Sequence, residues 1–241
     1  MRRHDRGESG TTIVEIAVGL AVGTVLVAGI LILVEQAQKT YMHSSEVTDL
    51  QQNVRVGMDR VTHIIQAAGV NPTNDNWGGA LGTNDPAFTA FREAGRNCVR
   101  VYADLDGDGT VQQNDENVSF HWSTTAGAPL NEQRGTSGGQ PDAGMAWVAA
   151  GTGPEELARD IAANPGGTAM FQYFTGPNDP LGLPNTELVP PAADPVTCAT
   201  LAAAQRTRIA RVVVTLTGRA VISGQTLTKT VTSDARARNV P

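Results

Sequence analysis

Between Thr11 and Val34 the chain reads TTIVEIAVGLAVGTVLVAGILILV, an apolar run with one charge, Glu15, and no proline. At about 1.5 Å per residue, residues 11–34 as a helix span roughly 36 Å, enough to cross the hydrocarbon core of a bilayer with some tilt. Nothing else in the sequence constrains the fold as strongly. A chain built this way holds one segment in lipid and folds the rest as a separate body.

Arg2, Arg3 and Arg6 precede the run, and the long remainder is acidic, with a formal charge of -6 for the whole chain. The positive-inside bias therefore puts the N-terminus in the cytoplasm and everything after about residue 40 across the membrane. A cleaved secretory signal fits poorly. Its apolar region is shorter, about 7 to 15 residues, and ends at small residues, whereas this run leads into Glu35, Gln36 and Gln38. The Arg2-Arg3 pair lacks the apolar residues that follow it in a twin-arginine signal. Nucleic acid is excluded as a partner, because phosphate neutralisation needs a basic face and the chain offers no basic stripe with interleaved aromatics.

A carboxylate inside an apolar run is a functional hypothesis by default, since burying it in lipid costs roughly 2.5–3.5 kcal/mol at the bilayer centre. The arrangement GTTIVE, Gly10 to Glu15, resembles the prepilin signature: a short basic leader ending in Gly, four residues, Glu, then about twenty apolar residues. That resemblance to type IV pilin-like proteins implies cleavage after Gly10 by a membrane-embedded prepilin peptidase and methylation of the new amino terminus at Thr11. It further implies that Glu15 pairs with the Thr11 amino group of a neighbouring subunit during assembly. Two positions depart from the pattern of major pilins. Thr11 stands where a large apolar residue is usual, and Ile32 where a proline is common, which favours a minor subunit. Gly19 and Gly23 form a small-xxx-small pair suited to close helix packing.

The helical pattern continues beyond the apolar run. Val47, Leu50, Val54, Gly57, Val61, Ile65 and Ala68 recur every three or four residues with charged residues between them, Gly69 offers a C-cap, and Pro72 stops the helix. One helix over 11–68 is expected, its second half packed on a sheet. The stretch NVRVGMDRVTHIIQAAGVNP, Asn53 to Pro72, resembles the end of the first helix in PilW-type minor pilins, as does the chain end from Arg208 to Thr217 and from Ala235 to Asn239.

Val99–Ala103 and Asn117–Trp122 read as short strands, and Arg208–Thr217 with Gln225–Ser233 as a longer antiparallel pair joined through Gly218 and Gly224. Residues 123–195 are rich in Gly, Pro, Ala and Asn and read as irregular insertions. Within them, Thr152 with Glu155 forms a capping box, Pro154 fits a first turn, and Asn164-Pro165 ends it, so a short helix is expected there. A second helix is expected from Asp194-Pro195 to Ala204. The fold class is α+β: a pilin-like long N-terminal helix laid on an antiparallel sheet with loop insertions. Its parts are a leader (1–10), a transmembrane and assembly helix (11–34), its amphipathic continuation (35–69) and a β-rich globular domain (70–241).

The chain has two cysteines, Cys98 and Cys198. A domain outside the cytoplasm lies in an oxidising compartment, so a disulfide between them is expected, with two buried free thiols as the alternative.

Most motifs that suggest catalysis lack their context. GTSGG, Gly135 to Gly139, matches G-x-S-x-G but sits in a glycine-rich stretch without the strand and helix a nucleophile elbow requires. His4, His43, His63 and His121 show no metal-ligand spacing. The exception is DLDGDGTVQQND, Asp104 to Asp115. Asp104, Asp106 and Asp108 fall at loop positions one, three and five, Gly109 at the tight turn, Thr110 at the backbone-carbonyl position, Gln112 at nine and Asp115 at twelve. Calcium wants six to eight oxygens, and three alternating carboxylates repel one another unless a cation sits among them. The loop resembles the calcium loops of dockerins and of some minor pilins, with Glu116 a rival to Asp115 as closing ligand. An acidic hairpin turn without metal is the alternative.

The expectation is thus a non-enzymatic minor pilin of the PilW type, with calcium as cofactor. Its partners on the resemblance are prepilin peptidase, other major and minor pilins, the inner-membrane assembly platform and a tip adhesin. A minor pseudopilin of a type II secretion system shares the helix, Glu15 and cleavage. An anchored periplasmic calcium-binding protein is the alternative of another class.

Overall fold

In the computed structural model the described residues are 12–68, 90–103, 105, 117–134, 155–192, 198–222 and 224–237. Contacts divide the chain into two units, residues 1–47 and residues 48–241. A single helix, α1 (Ile13–Ala67), supplies all the described secondary structure of the first unit and enters the second. Its N-terminal part is long and apolar enough to cross a membrane, with a mean hydropathy of 2.7 over its best window and none of that window buried. No proline interrupts α1, as the sequence requires of a helix this long.

The second unit is a curled antiparallel sheet. Strands β1 (Phe91–Ala94), β2 (Cys98–Tyr102), β3 (Asn117–Trp122), β4 (Ala128–Arg134) and β5 (Glu155–Ala162) follow one another in space as in sequence. β6 (Phe171–Thr175) and β7 (Glu187–Leu188) lead to a one-turn helix, α2 (Ala203–Arg206), and then to the long hairpin β8 (Ile209–Ile222) and β9 (Gln225–Arg236). β8 organises the sheet. From Arg211 to Ile222 it pairs with β9 on one edge, while β5 and β6 share the other, β5 at Ala162↔Thr217 and β6 at Phe171↔Val214. β5 and β6 therefore act as one strand interrupted by residues 163–170.

Asn164 fills that interruption. Its amide donates to the carbonyls of Thr215 at 2.8 Å and Ala169 at 3.3 Å, and its carbonyl accepts from the Thr217 hydroxyl at 2.8 Å. The side chain thus replaces the ladder bonds that the excursion removes, as a buried polar group must.

Leu50, Val54, Gly57, Met58, Val61, Ile64 and Ile65 of α1 are buried in the core with Val99, Val101, Val118, Phe120, Leu130, Ile161, Phe171, Val212, Val214 and Leu216. Two glycines set how close α1 comes to the sheet. A Cβ on Gly57 would stand 2.9 Å from the Ala158 Cβ, and one on Gly218 would stand 2.7 Å from the Leu50 Cδ1.

Several expectations are corrected here. Glu155–Ala162 is a strand, where the capping box predicted a helix. Asp160 takes a positive φ of 52°, so Leu130 opposes Ala158 while Ala128 opposes Ile161, and the extra residue forms a bulge. The bulge places buried Ala158 and Ile161 three apart, a spacing that imitates a helical face. Of the second expected helix, residues 194–197 lie outside the described residues, residues 198–202 are not helical, and only Ala203–Arg206 is. Residues before it are held extended against β1, with Gly95 bridged to Thr200 and the Leu201 amide bonded to the Ala94 carbonyl at 3.0 Å. Gly218 lies inside β8 beneath α1 and is no turn residue; Gly224, at φ 80°, makes the turn. Residues 123–195 are not merely irregular, since they contain β4, β5, β6 and β7.

Candidate functional site

The first candidate site is the amino end of α1. Glu15 occupies its first turn, and its carboxylate turns back to accept the Thr12 amide at 3.1 Å and the Thr12 hydroxyl at 3.5 Å. The Glu15 amide in turn donates to the Thr12 hydroxyl at 3.4 Å. This reciprocal pattern is a capping box, T-x-x-E, and the helix macrodipole favours the negative charge there. The sequence carried this signal in TIVE. Glu15 is exposed and accepts only bonds from its own turn among the described residues. Gly10 and Thr11, the cleavage and methylation positions, lie outside the described residues.

Further along, Leu20, Gly23, Thr24, Val27, Ala28 and Leu31 line a shallow apolar groove on the helix surface. The Thr24 hydroxyl is satisfied within the helix by the Ala21 carbonyl at 2.8 Å, so the groove presents carbon to its surroundings. Gly23 lines it and Gly19 does not.

The second site is the junction around the disulfide. Cys98 and Cys198 are bonded, with their Cα atoms 5.8 Å apart, so the expected pairing is present. A Cβ on Gly95 would meet the Ala199 carbonyl at 2.8 Å and the Cys198 sulfur at 3.0 Å, so only glycine fits. The buried Tyr173 hydroxyl donates toward the Gly95 and Cys98 carbonyls, at 2.9 and 3.2 Å, and burial pushes its pKa far up. Tyr173 and the Arg96 carbonyl, which accepts the Phe171 amide at 3.1 Å, close the sheet's β1–β2 end onto β6, and the disulfide ties β2 to the segment before α2. Beside this junction a cavity of about 370 Å³ is lined by Arg96, Trp122, Asn164 and Met170 among others.

Asp104, Asp106, Asp108, Thr110, Gln112 and Asp115 lie outside the described residues. What is described is how their loop is held. Tyr102 and Asn117 are partners in the β2–β3 register, Ala103 bridges Ala68, and Leu105 packs against the core. The segment therefore joins adjacent antiparallel strands, as the sequence suggested. Among the described residues no group of three or more His, Cys, Asp or Glu is placed to hold a metal.

The motif Gly135–Gly139 and His4 also lie outside the described residues. His43 and His63 are exposed on α1, and burial lowers the pKa of His121 in β3. Two ion-pair clamps escaped the sequence reading. Glu132 accepts from Arg60 of α1 at 2.7 and 2.8 Å and from Arg134 at 3.1 Å. Asp179 accepts from Arg208 at 2.8 and 2.9 Å and from the amides of Leu181 and Leu183, both at 3.2 Å. Such pairs join residues far apart in sequence, so no local pattern announces them.

Comparison with family models, with curated proteins and with solved structures finds no match for this chain. The fold and the site define a class by themselves: an α+β protein with, among the described residues, one helix fit to cross a membrane and an antiparallel sheet held by a disulfide.

Proposed function

We propose that the chain is a non-enzymatic subunit of a type IV pilus-type fibre, a minor pilin of the PilW type that acts in fibre initiation, assembly or tip display. The observation that carries the reading is the combination of the Gly10–Glu15 leader motif with α1, a helix that is apolar at first and then seats an amphipathic face on an antiparallel sheet. On this reading prepilin peptidase cuts between Gly10 and Thr11 in the inner membrane, and the domain from about residue 40 onward is periplasmic.

The chemistry of assembly follows from Glu15. In the isolated chain its carboxylate is held by Thr12 alone through weak, exposed bonds. A charged amino group brought up by a neighbouring subunit offers a charge-assisted bond, roughly twice as strong as a neutral one and stronger still in lipid. Entry into the fibre thus neutralises a carboxylate that is costly when left alone in the membrane. The test is mass spectrometry of the fibre and membrane fractions. An N-terminus at Thr11, methylated, is the expected result, and a mature chain retaining Met1 to Gly10 sinks the proposal.

A further inference from the structure

Among the described residues β9 forms an open edge of the sheet. The Thr215 amide donates to the Met170 carbonyl at 2.8 Å, so the odd-numbered residues of β8 address β6 and the even-numbered ones address β9. With Leu216 opposite Val231 and Val214 opposite Ser233, the odd-numbered residues of β9 turn inward. The backbone N–H and C=O groups of Thr226, Thr228, Thr230 and Thr232 therefore face outward, and β9 pairs with no described strand except β8.

Proteins usually blunt such an edge with a proline, a bulge, a short strand or charged side chains, lysine above all. β9 has only the last of these, in Lys229, Asp234 and Arg236, which keep out an edge of like charge and leave it open to an acidic one. It pairs from Gln225 to Arg236 with no register shift and contains no proline. Its outward-turned residues are also pre-ordered, since hydroxyl pairs tie Thr230 to Thr217 at 2.9 Å and Thr232 to Thr215 at 3.3 Å. A strand already held straight loses little entropy when another is added to it.

Charge selects the occupant. The β8–β9 hairpin carries Arg211, Arg219, Lys229 and Arg236 against Asp234 alone, a net +3 in a chain of -6. Asp234 is taken by Arg211 at 3.3 Å, and Arg219, Lys229 and Arg236 have no carboxylate within ion-pair distance among the described residues. Two copies meeting edge to edge through β9 would bring like charges together, which disfavours a second copy.

We infer that the outer edge of β9 is a docking strand for an extended, acidic segment of another protein, which adds to the sheet by main-chain hydrogen bonds and is selected by Arg219, Lys229 and Arg236. The inference stands whether or not the chain enters a fibre.

The test uses the full chain in non-ionic detergent with two synthetic octapeptides, one alternating valine and glutamate and the other valine and lysine. The glutamate peptide is expected to slow amide exchange at Thr226, Thr228, Thr230 and Thr232 by about tenfold and to bind about tenfold more tightly than the lysine peptide, with the difference shrinking in high salt. Thr228→Pro removes an outward N–H without touching a bond to β8 and should abolish binding. The triple variant Arg219→Glu, Lys229→Glu, Arg236→Glu keeps the backbone intact and should reverse the peptide preference, so the test survives if the proline variant misfolds. Unchanged exchange at the four threonines, equal binding of both peptides, or self-association of the chain through β9 in light scattering would each overturn the inference.

Discussion

At the scale of single residues, carboxylates in three environments are asked to do different things. Glu15 sits exposed in a capping box that contributes about 1 kcal/mol to a helix end and nothing to the core. On the proposed pilin reading, replacing it with Ala should leave membrane insertion, leader removal and the melting temperature of the globular unit unchanged while removing the protein from sheared fibres. Normal fibre content in that variant would refute its assembly role. Glu132 is buried. Burial pushes its pKa up, but the hydrogen bonds and charges of Arg60 and Arg134 outweigh this and hold it below the usual 4.5. A depressed carboxylate adds stability that is present at neutral pH and is lost as the pH falls below about 4.5 through the folded value. Glu93 runs the other way. Burial raises its pKa against the pull of Arg100, Arg206 and Arg92, so its contribution improves as the pH falls and is lost as the pH rises through the folded value. Melting curves from pH 7 to pH 3 should therefore show the Glu132→Gln deficit shrinking in acid, whereas Glu93→Gln, which removes the carboxylate 3.4 Å from the buried Arg100 guanidinium, should be less stable than the native chain, by less at neutral pH than in acid. Arg60→Ala removes two bonds to Glu132 from a part-exposed pair and leaves Arg134 in place, so it should cost about 1–2 kcal/mol.

At the scale of elements, the contrast between what packs and what stands open yields two further tests. Gly57→Val forces a side chain onto Ala158, from a Cβ only 2.9 Å away, and overpacking of this kind costs about 1–3 kcal/mol. Gly29→Ala, with nothing within 4 Å, should leave the melting temperature of the globular unit where it is. Cys198→Ala opens a loop of sequence separation 100, worth up to about 4.7 kcal/mol in the chain-entropy model. Its melting temperature should drop sharply, and a drop no larger than that of a surface substitution would refute a stabilising bridge. The same elements show what a sequence can reveal. α1 and β3 were legible because their signals are local and unbroken: apolar periodicity in one, a β-branched and aromatic run in the other. β5 was not, because the Asp160 bulge spaces its buried residues like a helix and its ladder partners lie in β4 and β8. The segment before α2 failed for a similar reason. Its alanines favour helix, but the disulfide and the contacts of Thr200 and Leu201 with β1 hold it extended.

At the scale of the whole molecule, the globular unit closes through long-range devices, and calcium would act on the same closure. The acidic segment Asp104 to Asp115 departs from Ala103, which bridges the end of α1, and returns at Asn117, the partner of Tyr102. Its start is tied to the core through Leu105. A charge change in this segment is thus coupled to the β2–β3 hairpin and to the seat of α1. Four aspartates repel one another without a counter-ion, so a cation bound by Asp104, Asp106, Asp108, the Thr110 carbonyl, Gln112 and Asp115 would stabilise the folded state over the unfolded one. Linkage gives the size: at a calcium concentration of one hundred times Kd the gain is about 2.7 kcal/mol, a rise of several degrees in melting temperature for a domain of this size. Magnesium should give much less, because it demands a tighter octahedral shell and sheds water reluctantly. Chelator-treated full chain in detergent should therefore melt higher with calcium than with magnesium. Asp104→Asn or Asp108→Asn should remove most of that rise, and Glu116→Gln should leave it largely intact if Asp115 closes the site. A melting temperature indifferent to calcium in the native chain would reduce the segment to an acidic turn, while leaving the disulfide, the Arg60–Glu132 clamp and the Gly57 contact to hold the unit together.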